Sequence, residues 1–145
     1  MKYLLDTCVI SDFVKGENGT LEKIKSMQPA ILATSTITLM EIHYGLKKNP
    51  AKARGLLHII KELLHSIHIL PFNSGSAKIA GDMRAQLKAT GSPIGSYNLL
   101  IASIALEHNL TLVTSDISEF NKVEGLIIDN WCKRSSKHKT KATGE

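Results

Sequence analysis

Two short apolar segments of this chain each run into an acid: Tyr3-Leu4-Leu5 into Asp6, and Leu110-Thr111-Leu112-Val113-Thr114 into Asp116. Short apolar runs with little polar alternation are the pattern of strands covered on both faces, which belong to parallel sheets. Side chains at the carboxyl edge of such a sheet stand where open α/β folds place their sites. Carboxylates delivered there from opposite ends of the sequence make a cation site the first hypothesis.

The rest of the body alternates strand-like with helix-like segments. Strands are expected over 2–5, 30–33, 68–70, 110–114 and 126–128. Helices are expected over 9–14, 20–27, 36–48, 51–67, 76–89 and 97–108. Asn49-Pro50 separates the third and fourth helices, and Gly91-Ser92-Pro93 follows the fifth. In the fourth, Leu56, Leu57, Ile60, Leu63, Leu64 and Ile67 recur at helical spacing and form a core stripe. Strands separated by helices need crossover connections, so the expectation is an α/β fold with a mostly parallel central sheet covered on both faces.

At 145 residues, 43% hydrophobic and 21% charged, the chain fits one globular domain. Its apolar runs fall far short of the roughly 20 residues that cross a bilayer, so no membrane partner is expected. Aromatics make up only 5%, which argues against stacked aromatic platforms for nucleic acid. Cys8 and Cys132 lie at opposite ends without metal-ligand spacing, and reduced thiols in a cytoplasm are the simplest account. The net charge of +5 is concentrated in Lys133, Arg134, Lys137, Lys139 and Lys141, leaving the body nearly neutral. We expect a domain over 1–131 and a basic, disordered tail over 132–145, either without a role or adding sequence-independent phosphate contacts.

Weighed singly, the acids are ambiguous. Asp6 suits a helix cap as well as a site. Glu41 in Thr38-Leu39-Met40-Glu41 matches a capping box, but Ser35-Thr36 is the more natural helix start and puts Glu41 inside the helix. Asp116 fits an ordinary turn after a strand. Three acids from distant segments at one sheet edge share a purpose, however, because clustered carboxylates need a cation to stay ionised together. Hard oxygens without His or Cys favour Mg²⁺ or Mn²⁺ over zinc. His58, His65 and His68 have no acids at ligand spacing and read as surface or packing residues. Arg84 reads as an exposed helix cation, with phosphate binding the less favoured alternative.

Four segments together resemble the PIN-domain ribonucleases, most closely the VapC toxins of toxin–antitoxin pairs. They are Tyr3-Leu4-Leu5-Asp6-Thr7 with Val9-Ile10-Ser11; Met40-Glu41-Ile42 with Tyr44-Gly45-Leu46; Gly91-Ser92-Pro93-Ile94-Gly95 before Leu99-Leu100-Ile101-Ala102; and Leu112-Val113-Thr114-Ser115-Asp116 with Glu119-Phe120. The resemblance implies a three-layer α/β/α sandwich and an endoribonuclease that uses Mg²⁺ or Mn²⁺ and no covalent nucleophile. Asp6, Glu41 and Asp116 take its metal positions, with the Thr114 hydroxyl at the substrate. It also implies a cognate antitoxin whose carboxy-terminal segment covers the acidic groove, a homodimer, and a toxin–antitoxin hetero-oligomer.

One position departs. Where similar VapC proteins carry a fourth catalytic aspartate before the Leu-Leu-Ile-Ala helix, this chain has Asn98. An amide keeps the shape but loses the charge and one carboxylate oxygen, so activity is expected to be weakened or abolished. A deliberately inactivated variant is favoured over natural loss of the acid. The alternative function is a catalytically silent module that binds an antitoxin or RNA. Cys8 stands where relatives usually have asparagine, and also where a haloacid-dehalogenase-type phosphatase would need its second aspartate, which discounts that reaction.

Overall fold

The structure is a computed structural model and describes residues 1–132; the tail expected over 132–145 lies outside it apart from Cys132. The elements are β1 (Tyr3–Leu5), α1 (Thr7–Val14), α2 (Asn18–Lys25), a 3-10 turn (Pro29–Ile31), β2 (Leu32–Ser35) and α3 (Thr36–Lys48). There follow α4 (Pro50–Ser66), β3 (His68–Leu70), α5 (Ser74–Ala89), α6 (Ser96–Glu107), β4 (Thr111–Val113), α7 (Ile117–Phe120) and β5 (Ile128–Asp129).

The five strands form one sheet in the order β3-β2-β1-β4-β5, with every pair parallel. Strand geometry sends successive side chains to opposite faces, and the apolar runs use both. Leu4, Ala33 and Leu112 join a core with Met83, Leu87, Ile101 and Ile104 from α5 and α6. Their neighbours Leu5, Leu32 and Val113 join a second core with Val9, Ile10, Ile60 and Leu63 from α1 and α4. A strand apolar at every position is thus what a three-layer sandwich requires. At about 1.5–3 kcal/mol for each large side chain fully buried, these two cores dominate the folding energy.

Most expected and observed elements agree in type, but the strand expected over 30–33 is corrected: Pro29 starts a 3-10 turn through Ile31, and β2 runs from Leu32 to Ser35. α7 is an addition, too short to produce a periodic signal. α4 begins one residue earlier, because Pro50 occupies its first turn, where a missing N–H costs nothing. Its stripe is narrower than expected: Ile60, Leu63 and Ile67 are buried, whereas Leu57 is exposed. His58, His65, His68 and Arg84 are exposed. Trp131 is buried edge-on against Tyr3, with ring centroids 5.1 Å apart, and fastens the end of the described chain to β1.

This topology positions a site. The chain leaves β1 for β2 and β3 on one side and returns to β4 and β5 on the other, so the order reverses between β1 and β4. Crevices in α/β folds open at such a reversal, outside the carboxyl ends of the strands. Asp6 and Thr114 directly follow β1 and β4.

Candidate active site

Asp6 does two jobs at once. It caps α1 through Oδ1, which accepts from the Thr7 N–H at 2.8 Å, and its Oδ2 accepts the Thr114 hydroxyl at 2.8 Å. The cap reading and the site reading therefore describe the same carboxylate. Asp6 is only 6% exposed, and burial holds its carboxyl above the ordinary value, with the Glu41 charge adding to the effect. Hydrogen bonds from Thr114 and Thr7 pull the other way without prevailing.

Glu41 reaches this point from α3. The helix starts at the Ser35 cap, whose Oγ accepts from the Thr38 N–H at 3.0 Å, so Thr38 is not the cap and Glu41 lies well inside. Its Oε1 accepts the Thr7 hydroxyl at 2.7 Å. Each acid is thus held by a hydroxyl from another element: Asp6 by Thr114, Glu41 by Thr7.

Asp116 is tied to the same network only through its backbone, its N–H donating to Thr114 Oγ1 at 3.0 Å. It stands at the start of α7 with no side-chain cap bond. Beside it the Ser115 hydroxyl donates to Cys8 Sγ at 3.3 Å, and that sulfur lies 3.7 Å from both Asp6 Oδ2 and Thr114 Oγ1. Burial, then the Asp6 charge, push the Cys8 thiol up. A neutral thiol here fills space and contributes no charge.

Asn98 belongs to a second group. It lies in the first turn of α6, where its side chain helps to lower the Glu119 carboxyl. Glu119 Oε1 also accepts the Gly95 N–H at 2.6 Å, and Lys122 Nζ donates to Oε2 at 3.3 Å. The Gly95 amide is the main cause that holds the Glu119 carboxyl below its ordinary value, with Lys122 and Asn98 assisting. A carboxylate at a helix amino terminus also benefits from the macrodipole. Glu119 carried no role in the sequence reading. The signal was the Asp116-x-x-Glu119 spacing, which sets two acids on one side of a single turn.

Of the sequence-derived residues, Asp6, Glu41 and Thr114 are joined by side-chain interactions, Asp116 adjoins them through the backbone, and Asn98 is engaged with Glu119. Among the described residues, no three His, Cys, Asp or Glu side chains converge closely enough to cage a metal. The donors nevertheless suit a hard divalent cation: carboxylate and hydroxyl oxygens, with one carboxylate buried beside another and disfavoured in its charged form.

Comparison with known proteins shows the family of the chain. The PIN domain family model matches residues 3–126. Ribonuclease VapC2 of Rickettsia felis is 34% identical over 137 residues, covering 92% of this chain and 100% of that protein. The tRNA(fMet)-specific endonuclease VapC of Salmonella typhimurium is 30% identical over 132 residues, covering 91% and 99%. The crystal structure of DNA-bound VapBC from Salmonella typhimurium superposes with a TM-score of 0.83 at 30% identity, covering 91% of this chain and 99% of that one. With a parallel sheet whose order reverses between β1 and β4 and a match over nearly the whole length of the relatives, this chain belongs to the PIN-domain family, among the VapC ribonucleases.

Proposed function

We propose that this chain is the toxin of a toxin–antitoxin pair and an endoribonuclease that hydrolyses an RNA phosphodiester at the β1–β4 edge. The carrying observation is the Asp6–Glu41 pair: two carboxylates from separate elements, each oriented by a threonine hydroxyl, one buried at a cost to its charge. Structural carboxylates that only cap helices do not need to be brought together. The names of the relatives support RNA as the substrate.

In this reading Asp6, Glu41 and Asp116 would hold Mg²⁺ or Mn²⁺, whereas Thr114, expected at the substrate, is fully buried with its hydroxyl donated to Asp6 and serves to orient that acid. When bound, the cation offsets carboxylate repulsion and supplies positive charge to the phosphodiester undergoing in-line displacement. Thr114 and Thr7 keep the two acids aimed without charge of their own. Thr7 engages one oxygen of Glu41, and the other would be the one available to the cation. Burial of Asp6 keeps bulk water from its oxygens.

Asn98 supports a reading of weakened activity. Its side chain lies toward Glu119, where it helps to lower that carboxyl, and as an amide it adds no charge to the site. The same observation favours a second reading, a silent module that binds RNA or an antitoxin. The solved VapBC complexes of relatives support an antitoxin partner. We place its carboxy-terminal segment over the acidic edge of a homodimeric toxin. No helix among the described residues is long and apolar enough to cross a membrane.

The test is cleavage of labelled RNA with and without Mg²⁺ or Mn²⁺, comparing the chain as given with Asn98→Asp. Metal-dependent cleavage that rises in the variant and is suppressed by the partner supports the proposal. Metal binding with no cleavage in either protein favours the silent module.

A further inference from the structure

Arg84 and Lys88 lie one turn apart on α5, both exposed, and neither pairs with a carboxylate among the described residues. They line a groove of about 590 Å³ between the end of α5 and the start of α6, floored by Leu87, Ile94, Leu99 and Leu100. No acid lines it. Its far wall is the loop after α5, turned by Gly91 at φ 69°. The Gly91 N–H returns to the Lys88 carbonyl at 3.2 Å, and the Ser92 N–H to that of Leu87 at 2.9 Å. That loop is also bound to the acidic edge: Gly95 donates to Glu119, and Lys122 donates to the Pro93 carbonyl at 3.0 Å. Ser96 and Leu99, which also line the groove, stand on either side of Asn98 in the sequence.

We infer that this groove seats the single-stranded RNA flanking the scissile bond, with Arg84 and Lys88 on successive phosphates and the apolar floor under ribose and base. The inference rests on the ribonuclease reading and says where that substrate lies. A polyanion approaching an edge of carboxylates is repelled, so cations immediately beside that edge are where its backbone gains most. Residues four apart on a helix have Cβ atoms about 5–6 Å apart, a spacing that suits neighbouring phosphates. Apolar contact without hydrogen-bond donors at the floor grips the strand without selecting a base.

The experiment is fluorescence anisotropy of a labelled single-stranded oligoribonucleotide across a salt series, using the full chain, R84Q/K88Q, and K47Q/K48Q as a control of equal charge change on α3. The result expected is an affinity about tenfold lower at low salt for R84Q/K88Q. The slope of log affinity against log salt should shrink by about 1.4, at about 0.7 per phosphate on a single strand. Thermal melts and sedimentation should match the parent, and the control should keep the parent's slope. Unchanged affinity and slope in R84Q/K88Q overturn the groove while leaving the ribonuclease reading standing. So does a loss traced by sedimentation to dissociation of a dimer, which would make the groove a contact between copies. If the parent chain binds no RNA at all, the ribonuclease reading falls and the groove falls with it.

Discussion

The two halves of the acidic edge solve opposite electrostatic problems. Around Asp6 and Glu41 the acids are steadied by neutral hydroxyls, and burial with mutual repulsion raises the Asp6 carboxyl. Around Glu119 an amide N–H, an ammonium and the Asn98 side chain converge on one carboxylate and lower it. The first half keeps a repulsion that its hydroxyls do not overcome; the second is satisfied from within. In this chain Asn98 therefore does more than omit a charge. It stands beside Glu119 as a neutral group and helps to keep that carboxylate ionised.

Breaking the second half should have the largest effect. Asn98→Asp exchanges an amide for a second carboxylate beside Glu119, recreating the repulsion of the first half. We expect RNA cleavage to rise by about 100-fold or more and divalent-metal affinity to rise with it. Calorimetric titration with Mn²⁺ alongside cleavage checks this. Adding Asp6→Asn should remove the gain, and a double variant that stays fully active would show that the two halves do not share a cation-dependent step.

Next comes the first half alone. Asp6→Asn keeps groups able to meet Thr114 and the α1 cap while removing a buried charge. Stability at neutral pH should rise by about 1 kcal/mol, as is common when a functional site loses strain. The sign follows from the raised carboxyl. Relative to the unfolded chain, Asp6 favours folding while protonated, below the ordinary aspartate range, and loses that advantage as pH rises through its folded value. The stabilising effect of Asp6→Asn should therefore fade in acid, read from melting temperatures between pH 7 and pH 4. A variant that melts lower than the parent at pH 7 would deny that Asp6 is held at a cost.

These contrasts also show what could be read from residues alone. Asp6 and Glu41 were legible because each sits at a place that local structure fixes: the end of an apolar strand, and the interior of a helix whose cap is Ser35. The strand-by-strand alternation between two cores was legible because apolar runs without a polar face leave no other arrangement. The role of Glu119 was not, since its partners Gly95, Asn98 and Lys122 come from a loop, a different helix and the chain beyond α7, and no period relates them. The disposition of Asp116 was equally hidden, because a residue following a strand can turn its carboxylate either way.

Two smaller effects sharpen the comparison. Thr7→Val removes the only hydroxyl shown donating to Glu41 and should destabilise the protein by about 1 kcal/mol, measured by urea unfolding. It should also weaken Mn²⁺ binding in the Asn98→Asp background, whereas an unaltered affinity would make the hydroxyl structural only. Glu119→Gln should cost less than about 1 kcal/mol at pH 7, because its partners lie near the surface. Here the sign is reversed: a lowered carboxyl stabilises above the ordinary glutamate range and loses that contribution as pH falls through its folded value. The gap between parent and Glu119→Gln should therefore close in acid, and a gap that widened would contradict the assignment.

The strand order has a consequence in time. β1, made before the other four strands, is the middle strand, and two partners of the Asp6 carboxylate that follows it arrive later, Glu41 with α3 and Thr114 after β4, while Glu119 of the second group comes with α7. At roughly 5–20 residues per second, the interval between the emergence of Asp6 and Glu119 from the ribosome is on the order of ten seconds. Throughout it the growing chain has no complete acidic edge. An activity that needs the whole edge stays off until α7 has emerged.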